Sequence, residues 1–216
     1  MSGFQEKVIS ITVDSDEIEG SLVTPNSPKS IIIFAHGSGS SRHSPRNKSV
    51  ASYLQSKGFA TLLIDLLSQE EEKVDIVTTE FRFDIDLLTK RLLIAKEWVK
   101  TNNEYRDMKI GYFGASTGAA AALKADAREG GVYAIVSRGG RPDLAGTELL
   151  EVNAPSLMIV GGADDLVIRL NKDALAKIRS SKKLEIVPGA THLFEEAGAL
   201  EEVSRLAANW FLDNLI

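Results

Sequence analysis

Short, almost wholly apolar runs recur along this chain: Ser30 to Ala35, Ala60 to Asp65, Lys109 to Phe113, Val132 to Ser137, Ser156 to Val160 and Leu184 to Val187. A strand with no polar face must be covered on both sides, which is the condition of a parallel sheet held between two layers of helix. Between the runs lie stretches with helical spacing, near Asn47 to Lys57, Ile85 to Lys100, Ser116 to Arg128, Ile168 to Ser180 and Glu195 to Leu215. In the second of these, Leu88, Leu92, Ala95 and Val99 fall three or four residues apart and mark one buried stripe. Ahead of them, Phe4 to Val13 and Ile18 to Thr24 alternate apolar and polar residues around Asp14-Ser15-Asp16, the pattern of a hairpin at the edge of a sheet. Hairpin first, then strand and helix in alternation, predicts an α/β fold with a doubly wound, mainly parallel sheet, as a single domain over residues 1–216.

Composition narrows the function classes. With 44% hydrophobic residues in 216, the chain has enough apolar material for one packed core. Cysteine is absent, so disulfides, thiolate metal sites and a cysteine nucleophile are excluded, in keeping with a reducing compartment. The first thirty residues show no basic start followed by an apolar core, and no apolar run reaches the roughly 18 residues of a membrane span. A cytoplasmic protein without membrane contact is expected. The formal charge of −5 argues against a nucleic-acid partner, which selects a basic face. The three histidines, His36, His43 and His192, match no metal-ligand spacing, and no metal is expected.

The chemistry-bearing feature is Gly114-Ala115-Ser116-Thr117-Gly118, set between an apolar strand and an alanine-rich helix. A strand that turns sharply into a helix around a serine needs small residues on either side, and the turn lifts the hydroxyl out at the carboxyl end of the sheet. The GxSxG pattern alone is common; its place between strand and helix gives it weight. A serine hydroxyl is a poor nucleophile without a base to take its proton and an acid to orient that base. His192, in the loop after the last strand, falls at the same end of the sheet. Gly161-Gly162-Ala163-Asp164-Asp165 follows the strand Ser156 to Val160 and offers two carboxylates. Asp164 comes first in the turn and is taken as the acid, with Asp165 left to cap the following helix. The oxyanion of an acyl-transfer intermediate needs donors, and the Thr117 amide at the helix start and the Ser38 amide in His36-Gly37-Ser38-Gly39 are the candidates. His36 itself reads as a loop support.

The segments HGSGSSRHSPRN, GASTG, VSRGGRPDLAG, VGGADDLV and PGATHLFEE resemble the dienelactone hydrolase-like branch of the α/β hydrolase family, over nearly the whole chain. The resemblance implies an α/β-hydrolase fold with a mainly parallel sheet of about eight strands. It also implies cleavage of a carboxylic ester, lactone or thioester through an acyl-enzyme, without a cofactor. It carries the roles of nucleophile, acid and base onto Ser116, Asp164 and His192, and of oxyanion donors onto Ser38 and Thr117. Dienelactone hydrolases proper have cysteine where Ser116 stands. The chain is closer to a serine-bearing subgroup, some members of which are fused to phosphoribosyltransferase-like domains.

No long insertion follows the strand ending at Ser137, so no large cap domain is expected, and an open site suits a small ester. Arg42, His43, Arg46, Arg138 and Arg141 fall in loops at the same sheet end of an acidic protein, and are read as candidate contacts to an anionic substrate group. The connection Leu66 to Phe83, with Glu70-Glu71-Glu72, reads as a solvated surface loop, or alternatively as a flap beside the site. Two other functions fit parts of the pattern. A non-catalytic binding module would keep the fold without the chemistry. An NADP-binding oxidoreductase would use Gly111, Gly114 and Gly118 as a phosphate-binding turn, although their spacing departs from GxGxxG and Asp164 and His192 would have no role. The partner expected is a small-molecule ester, and the protein a monomer or homodimer.

Overall fold

The computed structural model describes residues 3–215. Eight strands form one sheet in the order β1-β2-β4-β3-β5-β6-β7-β8. β1 (Phe4–Val13) and β2 (Asp16–Pro25) make the antiparallel hairpin, with Ile11 opposite Ile18 and Val13 opposite Asp16. β2 joins β4 (Ala60–Ile64) antiparallel, and β4 then pairs in parallel with β3 (Ile31–Ala35). β5 (Ile110–Ala115), β6 (Ala134–Arg138), β7 (Ser156–Gly161) and β8 (Lys182–Val187) continue the parallel set. This is the α/β-hydrolase sheet, and no large cap is inserted in it.

The apolar strands feed two cores, one on each face, because successive side chains point to opposite sides. Along β3, Ile31, Ile33 and Ala35 join the core beneath α3 (Ile85–Thr101), α4 (Thr117–Glu129) and α5 (Asp165–Lys177). Ile32 and Phe34 join the core beneath α1 (Pro45–Ser56) and α6 (Ala199–Asp213), where Phe34 stacks on Phe113 at 4.7 Å between ring centroids. Fully burying one such side chain contributes roughly 1.5–3 kcal/mol. The expected stripe on α3 is present: Leu88, Leu92, Ala95 and Val99 are all buried.

The connection 66–83 differs from the solvated loop expected of it. It contains α2 (Gln69–Thr78), started by a capping box in which Ser68 accepts from the Glu71 amide while the Glu71 side chain accepts from the Ser68 amide. The acidic run lies in the first turn, where carboxylates are stabilised by the exposed N–H groups. Glu71 also pairs with Arg91, and Asp75, the one buried residue of α2, pairs with Arg82 at 2.6 Å. Charge pairing holds this helix down; Ile76 and Val77 remain exposed.

The first turn of α4 packs so closely on the ends of β3 and β5 that a methyl group has no room. A Cβ at Gly114 would lie 2.4 Å from Ala119 Cα, and one at Gly118 would lie 2.3 Å from the Ala35 carbonyl oxygen. Both obstacles are backbone, which cannot swing away. Gly114→Ala is therefore expected to destabilise the fold by about 2–3 kcal/mol or more, read as a lowered urea midpoint at unchanged slope.

Candidate active site

Ser116 stands between β5 and α4 with φ 50° and ψ −119°, a conformation that costs an ordinary residue on the order of 1–3 kcal/mol. The surrounding backbone holds it there. Its N–H donates to the Arg138 carbonyl at 3.3 Å, and its carbonyl accepts from the Ala119 and Arg141 amides, each at 3.1 Å. The strained turn thus sits on contacts from β6, from the loop after it, and from α4.

Asp164 and His192 come together from the ends of β7 and β8. The His192 Nδ1 lies 2.7 Å from Asp164 Oδ2. Asp164 Oδ1 accepts from the Val167 amide at 3.3 Å, so the same carboxylate caps α5 with one oxygen and faces the imidazole with the other. This differs from the division of labour expected from the sequence: Asp165 is exposed in the first turn of α5, and the cap is Asp164 itself. A carboxylate at Nδ1 selects the tautomer with its proton on that nitrogen and leaves Nε2 as acceptor. The ring lies near the end of β6: a Cβ built on Gly139 would be 3.6 Å from His192 Cε1. Ser116 and His192 line one cleft of about 230 Å³, together with Ser38 and Arg138.

Of the two residues whose amides are proposed as oxyanion donors, Ser38 lines that cleft, and Thr117, next to Ser116, lines the neighbouring cavity. Thr117 is the first residue of α4, where the leading N–H groups have no acceptor within the helix. Ser38 lies in the loop after β3, which is closed by a hydrogen bond from the Ser40 amide to the Gly37 carbonyl at 3.2 Å. His36 braces this loop. Its Nδ1–H donates to the Gly37 carbonyl at 2.9 Å, and its Nε2 accepts from the Leu66 amide at 3.0 Å, tying the loop after β3 to the loop after β4. Burial pushes the His36 imidazole below its ordinary value and keeps it neutral, as the second bond requires.

The five basic residues separate into two sets, and two of them are not in loops as expected: Arg46 lies in the first turn of α1 and Arg138 ends β6. Arg42 is occupied by Asp65 and Glu19, each at 2.5 Å, and lines a different, acidic groove. Arg141 is held by Asp143. His43 is exposed, with Lys48 Nζ at 3.5 Å. These three are not brought to the Ser116 cleft, because carboxylates within their own loops or neighbouring strands compensate them or, for His43, because its loop faces solvent. Arg46 and Arg138 do line it. Sequence reading missed Asn47, whose Oδ1 accepts from Arg138 Nη2 at 3.2 Å; its burial, which marks it out, is set by the packing of α1 on the sheet and is not visible in the chain.

Sheet order, strained serine turn and the carboxylate–imidazole pair define the α/β-hydrolase class. Residues 18–211 match the dienelactone hydrolase family, and the chain belongs to that family. A crystal structure of a dienelactone hydrolase from Anabaena variabilis is 54% identical, with a TM-score of 0.96 over 99% of each chain. Est1E from Butyrivibrio proteoclasticus shares the fold at 16% identity, with a TM-score of 0.80 over 96% of this chain and 98% of its own. Two Mycobacterium tuberculosis proteins, provisionally named phosphoribosyl transferases, are 50% identical over 213 residues, which is 98% of this chain and 47% of theirs. The chain thus spans about half the length of these curated relatives. Among the described residues, no helix is long and apolar enough to cross a membrane.

The buried histidine makes stability depend on pH. Because the folded chain resists protonation of His36, the unfolded chain takes up the proton first on acidification. The contribution of neutral His36 is fully present above about pH 6.5 and drains away as pH falls from there toward the depressed folded-state value. The urea midpoint should fall between about pH 7.5 and pH 5.5, and fall less steeply in His36→Asn; parallel slopes would remove His36 as the source.

Proposed function

We propose that the chain is a serine-dependent carboxylic ester hydrolase acting on small esters, lactones or thioesters. The observation that carries this reading is the 2.7 Å contact between His192 Nδ1 and Asp164 in the cleft that Ser116 also lines. His192 Nε2 takes the Ser116 proton as Oγ attacks the carbonyl carbon. The tetrahedral oxyanion is met by the Ser38 and Thr117 amides, each donor being worth on the order of 3 kcal/mol. The imidazolium, stabilised by Asp164, then gives its proton to the leaving oxygen, and water repeats the sequence on the acyl-enzyme. No step calls for a cofactor. The shallow, uncapped cleft favours small substrates over long-chain lipids. The name of the Mycobacterium tuberculosis relatives is not carried over, since it belongs to proteins of which this chain matches 47%.

A fluorophosphonate probe should label Ser116 alone, located by mass spectrometry, and Ser116→Ala should abolish labelling. Failure to label folded protein would put the non-catalytic binding module ahead. Asp164→Asn is the sharper test, because asparagine caps a helix as well as aspartate does while no longer selecting the imidazole tautomer. Its kcat on a small ester should drop on the order of 10⁴-fold with little change in thermal stability. Asp165→Asn should stay within about twofold of the parent, since the side chain is exposed on the first turn of α5.

A further inference from the structure

The cleft beside Ser116 holds an unmatched positive charge. Two arginines are buried among the described residues, Arg91 and Arg138. Arg91 lies between Asp14 and Glu71, an arrangement that offsets the cost of removing a guanidinium from water. Arg138, 8% exposed, pairs with no carboxylate among the described residues. Its Nη2 donates to Asn47, a neutral acceptor, and its Nη1 has no partner. Its charged neighbour is Arg46, which adds repulsion; burial first, and Arg46 second, push the Arg138 guanidinium down to about 10. Arg46 has one counterion, the exposed Glu195 at 3.1 Å, and a buried Nε without a partner. In an acidic chain that pairs its half-buried Arg42, Arg82 and Arg141 with carboxylates, two adjacent guanidiniums left in this state are a site arranged for an incoming anion.

The position of the pair relative to the chemistry gives the side of the scissile bond. The leaving oxygen must reach His192 for its proton, and His192, Arg46 and Arg138 line one cleft. Across the Gly37–Ser40 loop lies a second cavity of about 150 Å³, walled by Leu66, Leu67, Ile76 and Leu88 together with the charged Glu72, Asp75 and Arg82, and reaching Thr117 and Ser38. A cavity of about that volume takes a group the size of benzene, and the Asp75–Arg82 pair in its wall is satisfied internally, which leaves the leucine and isoleucine side chains to meet that group. We propose that Arg138, with Arg46 and Asn47, forms a subsite for a terminal oxyanion on the alcohol portion of the ester, while a small acyl group occupies the cavity across the loop. The inference rests on the serine-hydrolase reading above and adds the substrate class.

The test compares four esters by pH-stat: acetoxyacetate, with a carboxylate on the alcohol; 1-acetylglycerol 3-phosphate, with a phosphate there; monoethyl succinate, with the carboxylate on the acyl side; and neutral ethyl acetate. One or both of the first two should exceed ethyl acetate in kcat/KM by about tenfold or more, as one or two hydrogen bonds to charged groups would give. Which of the two is favoured identifies the oxyanion. In Arg138→Met that ratio should fall about tenfold, chiefly through KM. Asn47→Asp leaves the arginine in place and supplies it with an internal carboxylate, so it should lower the ratio too; fluorophosphonate labelling of Ser116 verifies that each variant has an assembled site. No preference for either alcohol-side anion, a preference for monoethyl succinate, or a ratio unchanged in both variants would overturn the proposal. If none of the four is cleaved and Ser116 is not labelled, the hydrolase reading fails first. The subsite is then judged by binding alone: glycolate or inorganic phosphate should raise the Tm of the parent more than that of Arg138→Met, and equal shifts would overturn it.

Discussion

The packing of the first turn of α4 against the carboxyl ends of β3 and β5 is the contact on which the rest of the site depends. Gly118 lets the helix backbone approach the Ala35 carbonyl, and Gly114 lets Ala119 approach the strand. Ser116 is held at a positive φ because these approaches leave its backbone no other route, and the strain is offset by the apolar burial on both sides of the sheet. The same geometry frees the Thr117 amide at the helix start and sets the loop after β3, with Ser38, beside it. The positions of the proposed nucleophile and of its proposed oxyanion donors thus follow from one close approach of backbone to backbone.

Around this rigid centre the protein uses polar contacts to bring distant loops into register. His36 joins the loops after β3 and β4 through both ring nitrogens, and it can do so only while neutral, which its burial ensures. Asp164 does two jobs with two oxygens, stabilising the start of α5 and orienting His192. α2 is held through Glu71–Arg91 and Asp75–Arg82 while leaving apolar side chains exposed above the cavity that reaches Thr117. In each case the charge or proton state is matched by a partner in contact. Arg138 departs from that rule, and it does so beside Ser116.

Much of this was legible in the chain. Strands buried on both faces must be apolar at nearly every position, so β3, β5, β6 and β7 announce themselves; amphipathic helices such as α3 repeat every three or four residues. The serine turn is legible because its requirements are local, two small residues around one serine. α2 was not recognised, because its burial is carried by Asp75 rather than by an apolar stripe, and the Ser68-x-x-Glu71 capping box was the signal to weigh. The helix after β7 was expected from Ile168, three residues late, and its cap was expected at Asp165, where the adjacent aspartate serves.

By itself the sequence determined the kind of sheet, the place of the turn that carries Ser116, and the residue types available for the chemistry, since these follow from local periodicity and steric limits. Tertiary structure decided which charges are free. Five basic residues look alike in the chain and were expected in loops, yet Arg42 and Arg141 find carboxylates within reach, His43 faces water, Arg46 falls in the first turn of α1 with one exposed partner, and Arg138, the last residue of β6, is left at the cleft without a carboxylate among the described residues. Pairing depends on distances between segments far apart in sequence, and a Coulomb interaction or a buried hydrogen bond is determined by those distances alone. For the same reason only the fold could show that Asp164 reaches His192 and caps α5 at once.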